Sequence, residues 1–334
     1  MKLSRVGAMR RRTALAAGLT ALGCPWAGAR AQDKYPNRPI TFVIAFPPGS
    51  GSDTLARLLA SEVSTLLEQP VIVENKPGAS NMLAARYVAN SKPGNGYMIF
   101  LGNNALWMVQ PVIDPDCGYA FDDFDHMMML AETPYVLVAR PDRKWTELAD
   151  LVAEAKRRPG RITFGSTGTG GTLHLVVERL METTGIRLSH VPYRGPAQAQ
   201  TDLLGGHIDL MFDSIPSANR AVSAGRLTAL AVSTRERLAP MPKVRTVAEQ
   251  GYPGFSMYGW WSLATPAGTP RPMLDTIQKA FTAALATPSV KAYCQDNALL
   301  TVPPTRDYLM SRLQSEGPVY SALIKRLDIK PDKA

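Results

Sequence analysis

Short apolar runs alternating with amphipathic stretches organise this chain. Ile40 to Ala45 reads as a buried strand. After it, Leu55, Leu58, Leu59, Val63, Leu66 and Leu67 recur at helical spacing, with Ser52 or Asp53 as the expected N-cap. Val71-Ile72-Val73 is a second strand, stopped by the turn chemistry of Asn75-Lys76-Pro77-Gly78. A helix over Asn81 to Asn90 and a strand over Tyr97 to Leu101 complete a parallel, doubly wound unit.

The same grammar resumes near Pro134. Tyr135 to Ala139 and Arg161 to Phe164 read as strands on either side of a helix from Trp145 to Arg157. Leu173, Val176, Val177, Leu180 and Met181 then share one helical face, closed by Gly185 at C′. His190-Val191-Pro192-Tyr193 is a short edge segment, followed by a helix over Ala197 to Leu204 and strands over Ile208 to Phe212 and Leu227 to Val232. Past Tyr258-Gly259-Trp260-Trp261 the chain enters helices over Pro270 to Ala286 and Arg306 to Leu327, with Thr269 and Pro270 as cap and first residue of the former. The alternation predicts an α/β fold, and about 300 residues call for two domains.

The N-terminus has a different composition. Residues 1–31 carry Lys2, Arg5, Arg10, Arg11, Arg12 and Arg30 and no acid, around the apolar run Ala14 to Gly23. With Ala29-Arg30-Ala31 behind it, this reads as a secretory signal cleaved after Ala31. Leu22-Gly23-Cys24 resembles the end of a lipoprotein box, but Ala21 stands where Leu is usual, so cleavage is favoured over lipid anchoring at Cys24. Arg11-Arg12 fits twin-arginine export only in part, and an ordinary basic leader explains it as well. The net charge of +9 belongs largely to this leader. The remainder has no dense basic stripe, which argues against nucleic-acid binding. Cys117 and Cys294 either pair, as export permits, or remain buried thiols.

Two glycine-rich loops carry the candidate chemistry. Phe46-Pro47-Pro48-Gly49-Ser50-Gly51-Ser52-Asp53 follows the first strand, and Gly165-Ser166-Thr167-Gly168-Thr169-Gly170-Gly171-Thr172 follows Phe164. Each precedes a helix, where free N–H groups and small hydroxyls form an anion site. The bland reading of Ser50, Gly51, Ser166 and Thr169 is turn and cap chemistry. The pairing of two such loops, with no catalytic set beside them, points to binding.

Ordered blocks along the chain strengthen this. Tyr35 to Ile40, the Phe46 to Asp53 loop, Val73 to Ala79, Gly165-Ser166 with Gly170 and His174, His190 to Gly195, Asp202 to Gly206 onward to Asp213, Thr246 to Glu249 with Gly251, and Pro266 to Pro270 together resemble the Bug-type solute-binding proteins of tripartite tricarboxylate transporters. The resemblance covers essentially the whole chain after the leader. It implies a two-lobed periplasmic-binding-protein fold (a Venus flytrap, class II-like), each lobe a mainly parallel sheet flanked by helices. Lobe 1 would comprise residues 32–135 plus 259–334 and lobe 2 residues 136–258, with crossovers near Leu130 to Pro141 and Ser256 to Thr265. It further implies a small carboxylate ligand held between the loops, partly through water, and delivery to integral membrane permease subunits by a monomer. Two departures stand out: Ser50 where glycine is usual, and Gly170-Gly171-Thr172 where Gly-Ser-Ser is common. Gly171 then offers only its N–H, and Thr172 stands in for a serine.

The resulting candidate set is Phe46, Pro48, Gly49, Ser50, Gly51, Asn103, Ser166, Thr169, Gly170, Gly171, Thr172, Tyr193 and Asp213, with no metal and no cofactor. Asp53 is expected as a cap and His174 as a packing or supporting residue. Asp213 has two open readings: contact with a ligand amine, hydroxyl or water, or a structural role at the cleft rim. Tyr193 and Arg194 are placed at the rim of lobe 2. Asn103 and Asn104 are placed in a distal pocket, flanked by Trp107 or with Trp107 in the core. An enzyme is disfavoured. No Gly-Lys-Ser/Thr follows either loop, Phe164 occupies the position a nucleophile elbow reserves for glycine, and the four histidines lack metal spacing. An exported enzyme acting on a small anion is therefore the remote alternative, and presentation of the liganded protein to a sensor the nearer one.

Overall fold

The computed structural model describes residues 35–330, so the leader, its Ala31 cleavage point and Cys24 lie outside the described residues. Ten strands form two five-stranded sheets. They are β1 (Ile40–Ile44), β2 (Val71–Asn75), β3 (Met98–Asn103), β4 (Phe124–Thr133), β5 (Tyr135–Ala139), β6 (Thr163–Ser166), β7 (Ser189–Pro192), β8 (Leu210–Ser214), β9 (Thr228–Val232) and β10 (Gly259–Pro266).

The first sheet runs β2-β1-β3-β10-β4 and the second β7-β6-β8-β5-β9. In each, three neighbouring strands are parallel and the fourth runs against both of its neighbours: β10 against β3 and β4, and β5 against β8 and β9. The reversed strand is in each case the one that has just crossed over from the other sheet. β4 ends at Thr133 and β5 begins at Tyr135, so Pro134 alone separates the two sheets there. The second crossover enters β10, where Gly259 pairs with Thr133. A Cβ on Gly259 would overlap the Tyr135 hydroxyl and crowd Thr133, so the two crossovers lie side by side and only glycine fits between them.

Apolar clusters cover both faces of each sheet. Phe42, Leu55, Leu59, Ile99 and Phe281 fill one face of the first, and Phe100, Leu106, Trp107 and Trp260 the other. Phe164, Leu173, Val177 and Phe212 fill one face of the second, and Val138, Leu203, Met211 and Val232 the other. Sheets buried on both faces suit the near-continuous apolar runs from which the strands were read. Leu175, from a helix of the second lobe, joins the Phe100 cluster of the first, so apolar packing crosses the seam between lobes.

Several elements differ from expectation. Ser50, not Ser52 or Asp53, is the N-cap of helix Gly51–Leu67, because its hydroxyl accepts from Asp53 N–H while its own backbone is extended. Helix Leu148–Arg157 starts three residues after Trp145, whose ring is buried as an anchor. Thr269 does not cap helix Arg271–Leu285: Pro270 takes that position, while the Thr269 hydroxyl donates to Pro266 O. Strand β4 and helix Pro288–Asp296 were not anticipated. The β4 run Phe-Asp-His-Met-Met-Met-Leu-Ala-Glu-Thr places two charged residues and a histidine among its apolar positions, which masks a strand buried on both sides. Cys117 and Cys294 are free and buried, in separate clusters. Among the described residues, no helix is long and apolar enough to cross a membrane.

Candidate functional site

Parallel strands send their C-terminal ends to one edge of a sheet, and the loops leaving that edge are where α/β proteins place ligands. On the first sheet, β1 pairs in parallel with β2 and β3, so the Phe46 loop, Asn75 and the Asn103-Asn104 corner all leave the same edge. On the second, the Ser166 loop, Tyr193 and the Asp213-Ser214 corner do so.

The first loop is braced from its neighbour strand. Asn75, last residue of β2, donates to Phe46 O at 3.0 Å and to Asp53 Oδ1 at 2.8 Å. Arg57 donates to Asp53 Oδ2 at 3.0 Å and to Asn75 Oδ1 at 2.8 Å, and Gly49 N–H donates to Asp53 Oδ2 at 2.9 Å. Burial alone would raise the Asp53 pKa, but the bonds from Arg57, Asn75 and Gly49 outweigh it and hold the carboxyl below its usual value. Asp53 is thus an ionised brace inside the loop. Gly49 adopts φ 80° with open space around it, so backbone conformation is what calls for glycine there.

The second loop is braced by two histidines. Ser166 Oγ lies 2.6 Å from His190 Nε2, and the hydroxyl also points at Gly168 O at 3.2 Å. One hydroxyl proton serves one acceptor, so when it goes to Gly168 O, His190 must donate from Nε2. His190 stacks on His174 with centroids 4.1 Å apart, and His174 lies parallel to Phe164. His174 Nδ1 accepts from Gly170 N–H at 3.1 Å, which leaves Nε2 as the protonated nitrogen facing Glu178 Oε1 at 3.1 Å. His174 therefore supports the loop, as expected. The Ser166–His190 contact was not foreseen: 24 residues separate the pair, and only the parallel register of β6 with β7 brings them together.

The two loops do not offer all the donors expected of them. The N–H groups of Gly49, Gly170 and Gly171 are engaged within their own loops, the last with Gly168 O at 3.2 Å. Ser166 is fully buried. What remains is the first turn of each following helix, Gly51-Ser52 and Thr172-Leu173-His174, whose N–H groups have no carbonyl one turn back inside the helix. Asn103 is the N-cap of helix Asn104–Met108, its side chain accepting from Leu106 N–H at 3.0 Å, which ties it to the turn instead of leaving it as an open pocket group.

Asn104 is the residue that joins the halves. Thr172 Oγ1 donates to Asn104 Oδ1 at 3.0 Å across the seam, while Asn104 Nδ2 reaches the Tyr320 hydroxyl at 3.2 Å. Trp107 belongs to the core: its Nε1–H donates to Ser262 Oγ at 2.9 Å, and its ring occupies the space that a Cβ on Gly102 would need. The Tyr193 hydroxyl donates to Asp202 at 2.8 Å. Asp213 is buried and accepts from Gln200 at 2.9 Å and Ser214 N–H at 2.7 Å. Burial pushes its pKa up to about 6 against the lowering effect of these bonds, of Ser217 and of Arg220. Among the described residues, no group of three or more His, Cys, Asp or Glu side chains is placed to hold a metal ion.

Residues 55–329 match the family model of the tripartite tricarboxylate transporter family receptor. The chain belongs to this family. It is 33% identical over 308 residues, 91% of each chain, to a protein encoded between tcbD and tcbE in Pseudomonas sp. strain P51. It is 31% identical over 288 residues to Protein BugT of Bordetella pertussis, covering 84% of this chain and 88% of BugT. Among solved structures, the periplasmic binding protein BugD superposes with a TM-score of 0.81 at 29% identity, over 89% of this chain and 99% of BugD. An R. palustris protein with adipate gives a TM-score of 0.83 at 28% identity, over 89% of this chain and all of that one. MatC of Rhodopseudomonas palustris with bound malate gives 0.79 at 28%, over 87% and 100%. This receptor is accordingly a periplasmic solute-binding protein of Bug type with the two-lobed fold.

Proposed function

We propose that this receptor captures a small carboxylate between its lobes and presents it to the membrane components of a tripartite transporter. The observation that carries the reading is the Thr172–Asn104 hydrogen bond at 3.0 Å, which seats the N-terminus of helix Thr172–Thr184 against the ligand-side edge of the other lobe. A helix N-terminus favours an anion through its unpaired N–H groups and its dipole. The ligand carboxylate is held by the first turns opened by Gly51 and Thr172, with the Ser50, Ser166 and Thr169 segments shaping the loops and Phe46, Pro48 and Tyr193 walling the site. Relatives with adipate and with malate support a carboxylate as the cargo.

Lobe 1 comprises residues 32–135 with 259–334 and lobe 2 residues 136–258, with hinge motion at the crossovers around Pro134 and Gly259. The Ser166–His190 pair orders its loop and turns over no ligand, because its hydroxyl is enclosed. The protein acts as a monomer after cleavage behind Ala31. A thermal-shift screen of refolded residues 32–334 against mono-, di- and tricarboxylates tests the reading. At a hundredfold excess over Kd a true ligand stabilises by about 2.7 kcal/mol. A flat panel with folded protein would overturn it, and ligand consumption would overturn the non-catalytic assignment.

A further inference from the structure

Four buried side-chain polar atoms lack a hydrogen-bond partner among the described residues: Gln110 Nε2, His126 Nδ1, Glu132 Oε1 and Thr265 Oγ1. Glu132 faces the Arg312 guanidinium, and His126 and Thr265 lie on the paired strands β4 and β10 inside the first lobe. Gln110 alone sits at the seam. It is 2% exposed, and its Nε2 lies 3.3 Å from where a Cβ of Gly170 would stand, with Val109 Cγ1 and Ile113 Cδ1 near the same point. That added Cβ would overlap Ile113 Cδ1, and Gly170 has φ 73°, so glycine is required on both counts for the second loop to approach this amide. The Gly170 N–H is already taken by His174. Gln110 therefore brings two amide N–H bonds from the first lobe to a stretch of the second lobe whose own donor is occupied.

We propose that Gln110 is a ligand-binding and specificity-determining residue, its amide donating to an oxygen acceptor of the bound carboxylic acid, a hydroxyl, carbonyl or second carboxylate. This rests on the carboxylate-binding reading above and adds to it a donor from outside both glycine loops. Buried amides are normally paired, and leaving one without a partner destabilises the fold. A ligand oxygen at the seam relieves that penalty only when the lobes are together, so occupancy and closure become linked. The flanking Val109 and Ile113 side chains offer no competing polar group, so the amide alone reads this part of the ligand.

The test is isothermal titration of wild type, Gln110→Leu and Gln110→Glu with malate and with adipate, alongside melting of each protein without added acid. The expected result is binding weakened by about tenfold or more in Gln110→Leu, as for a hydrogen bond to a charged group, while its unliganded melting temperature equals or exceeds that of wild type. Gln110→Glu, which keeps the length and replaces donors by a negative charge, should bind either acid more weakly still. Affinities within twofold of wild type in either folded variant would overturn the assignment and leave Gln110 as an unpaired core amide. If Gln110→Leu fails to fold, Gln110→Glu decides alone. Wild-type protein that binds neither malate nor adipate nor any acid of the wider panel would overturn the carboxylate reading itself, and this assignment with it.

Discussion

Thr172 Oγ1 donates to Asn104 Oδ1 at 3.0 Å, although 68 residues separate the pair along the chain and each follows a strand of a different sheet. Asn104 is 1% exposed, so the acceptor has little alternative in water. The contact belongs to the lobes as they meet and to neither lobe alone.

Thr172→Val keeps the shape and removes this donor. Leaving a buried carbonyl oxygen unpaired costs about 1–3 kcal/mol. The cost falls on the closed arrangement, so carboxylate affinity should drop several-fold or more while the melting temperature of the unliganded protein stays within a degree or so. Calorimetric titration and a melt check this. A lowered melting temperature with unchanged affinity would make the pair a static brace.

Gly170→Ala and Gly185→Ala separate strain from crowding. Both positions have positive φ, 73° and 69°, but only Gly170 has Ile113 and Gln110 pressed against it. Each substitution should cost about 1–2 kcal/mol in left-handed backbone. Only Gly170→Ala should also hold the lobes apart, seen as a larger radius of gyration in saturating carboxylate by small-angle scattering. Equal scattering curves for the two variants would count against a seam at Gly170.

Asp213 and His126 bend the pH profile in opposite senses. Burial raises the Asp213 pKa to about 6, so between about pH 4 and pH 6 the folded state holds a proton the unfolded chain has released, and stability falls as pH rises. Burial lowers the His126 pKa to about 4, so there the unfolded chain holds the extra proton, and stability falls as pH drops from about 6.5 towards 4. Each amounts to about 3 kcal/mol at most, and the two largely cancel. Asp213→Asn removes one side, so urea midpoints of the variant relative to wild type should climb between pH 4.5 and pH 7. A constant difference across that range would show that Asp213 does not titrate there.

Cys117 and Cys294 are free, buried and in different apolar clusters, and burial raises the Cys294 thiol. Reductant should leave the melting temperature unchanged, and maleimide should label neither thiol until denaturant unfolds the protein. A reductant-dependent loss of stability would reveal a bond the fold does not contain.

Much of the architecture was legible because it depends on local chemistry. The apolar runs of β1, β5 and β6, the spacing after Ser50, and Gly185 ending helix Thr172–Thr184 are decided within a turn or two of chain. The same holds for the two glycine loops, since Gly49, Gly168 and Gly170 all adopt positive φ. β4 does not stand out because His126 and Glu132 interrupt its pattern, and their burial is settled largely by Trp107 and Arg312, distant in the chain. Ser166 stands out in the sequence without its partner His190, and Gln110 does not stand out at all. A glutamine beside Pro111 in an apolar stretch has no local signature until Gly170 is set over it.

The amino-acid sequence alone determined most of the order of elements, the placing of a donor-rich turn after β1 and after β6, and the family to which these belong. Those follow from side-chain periodicity and from backbone conformations that only certain residues tolerate. Tertiary structure decided which donors remain for a ligand. Asp53 engages Gly49, His174 engages Gly170, and Asn75 and His190 reach in from neighbouring strands. Hydrogen bonds saturate, so what a loop offers a ligand depends on which acceptors have already met its N–H groups.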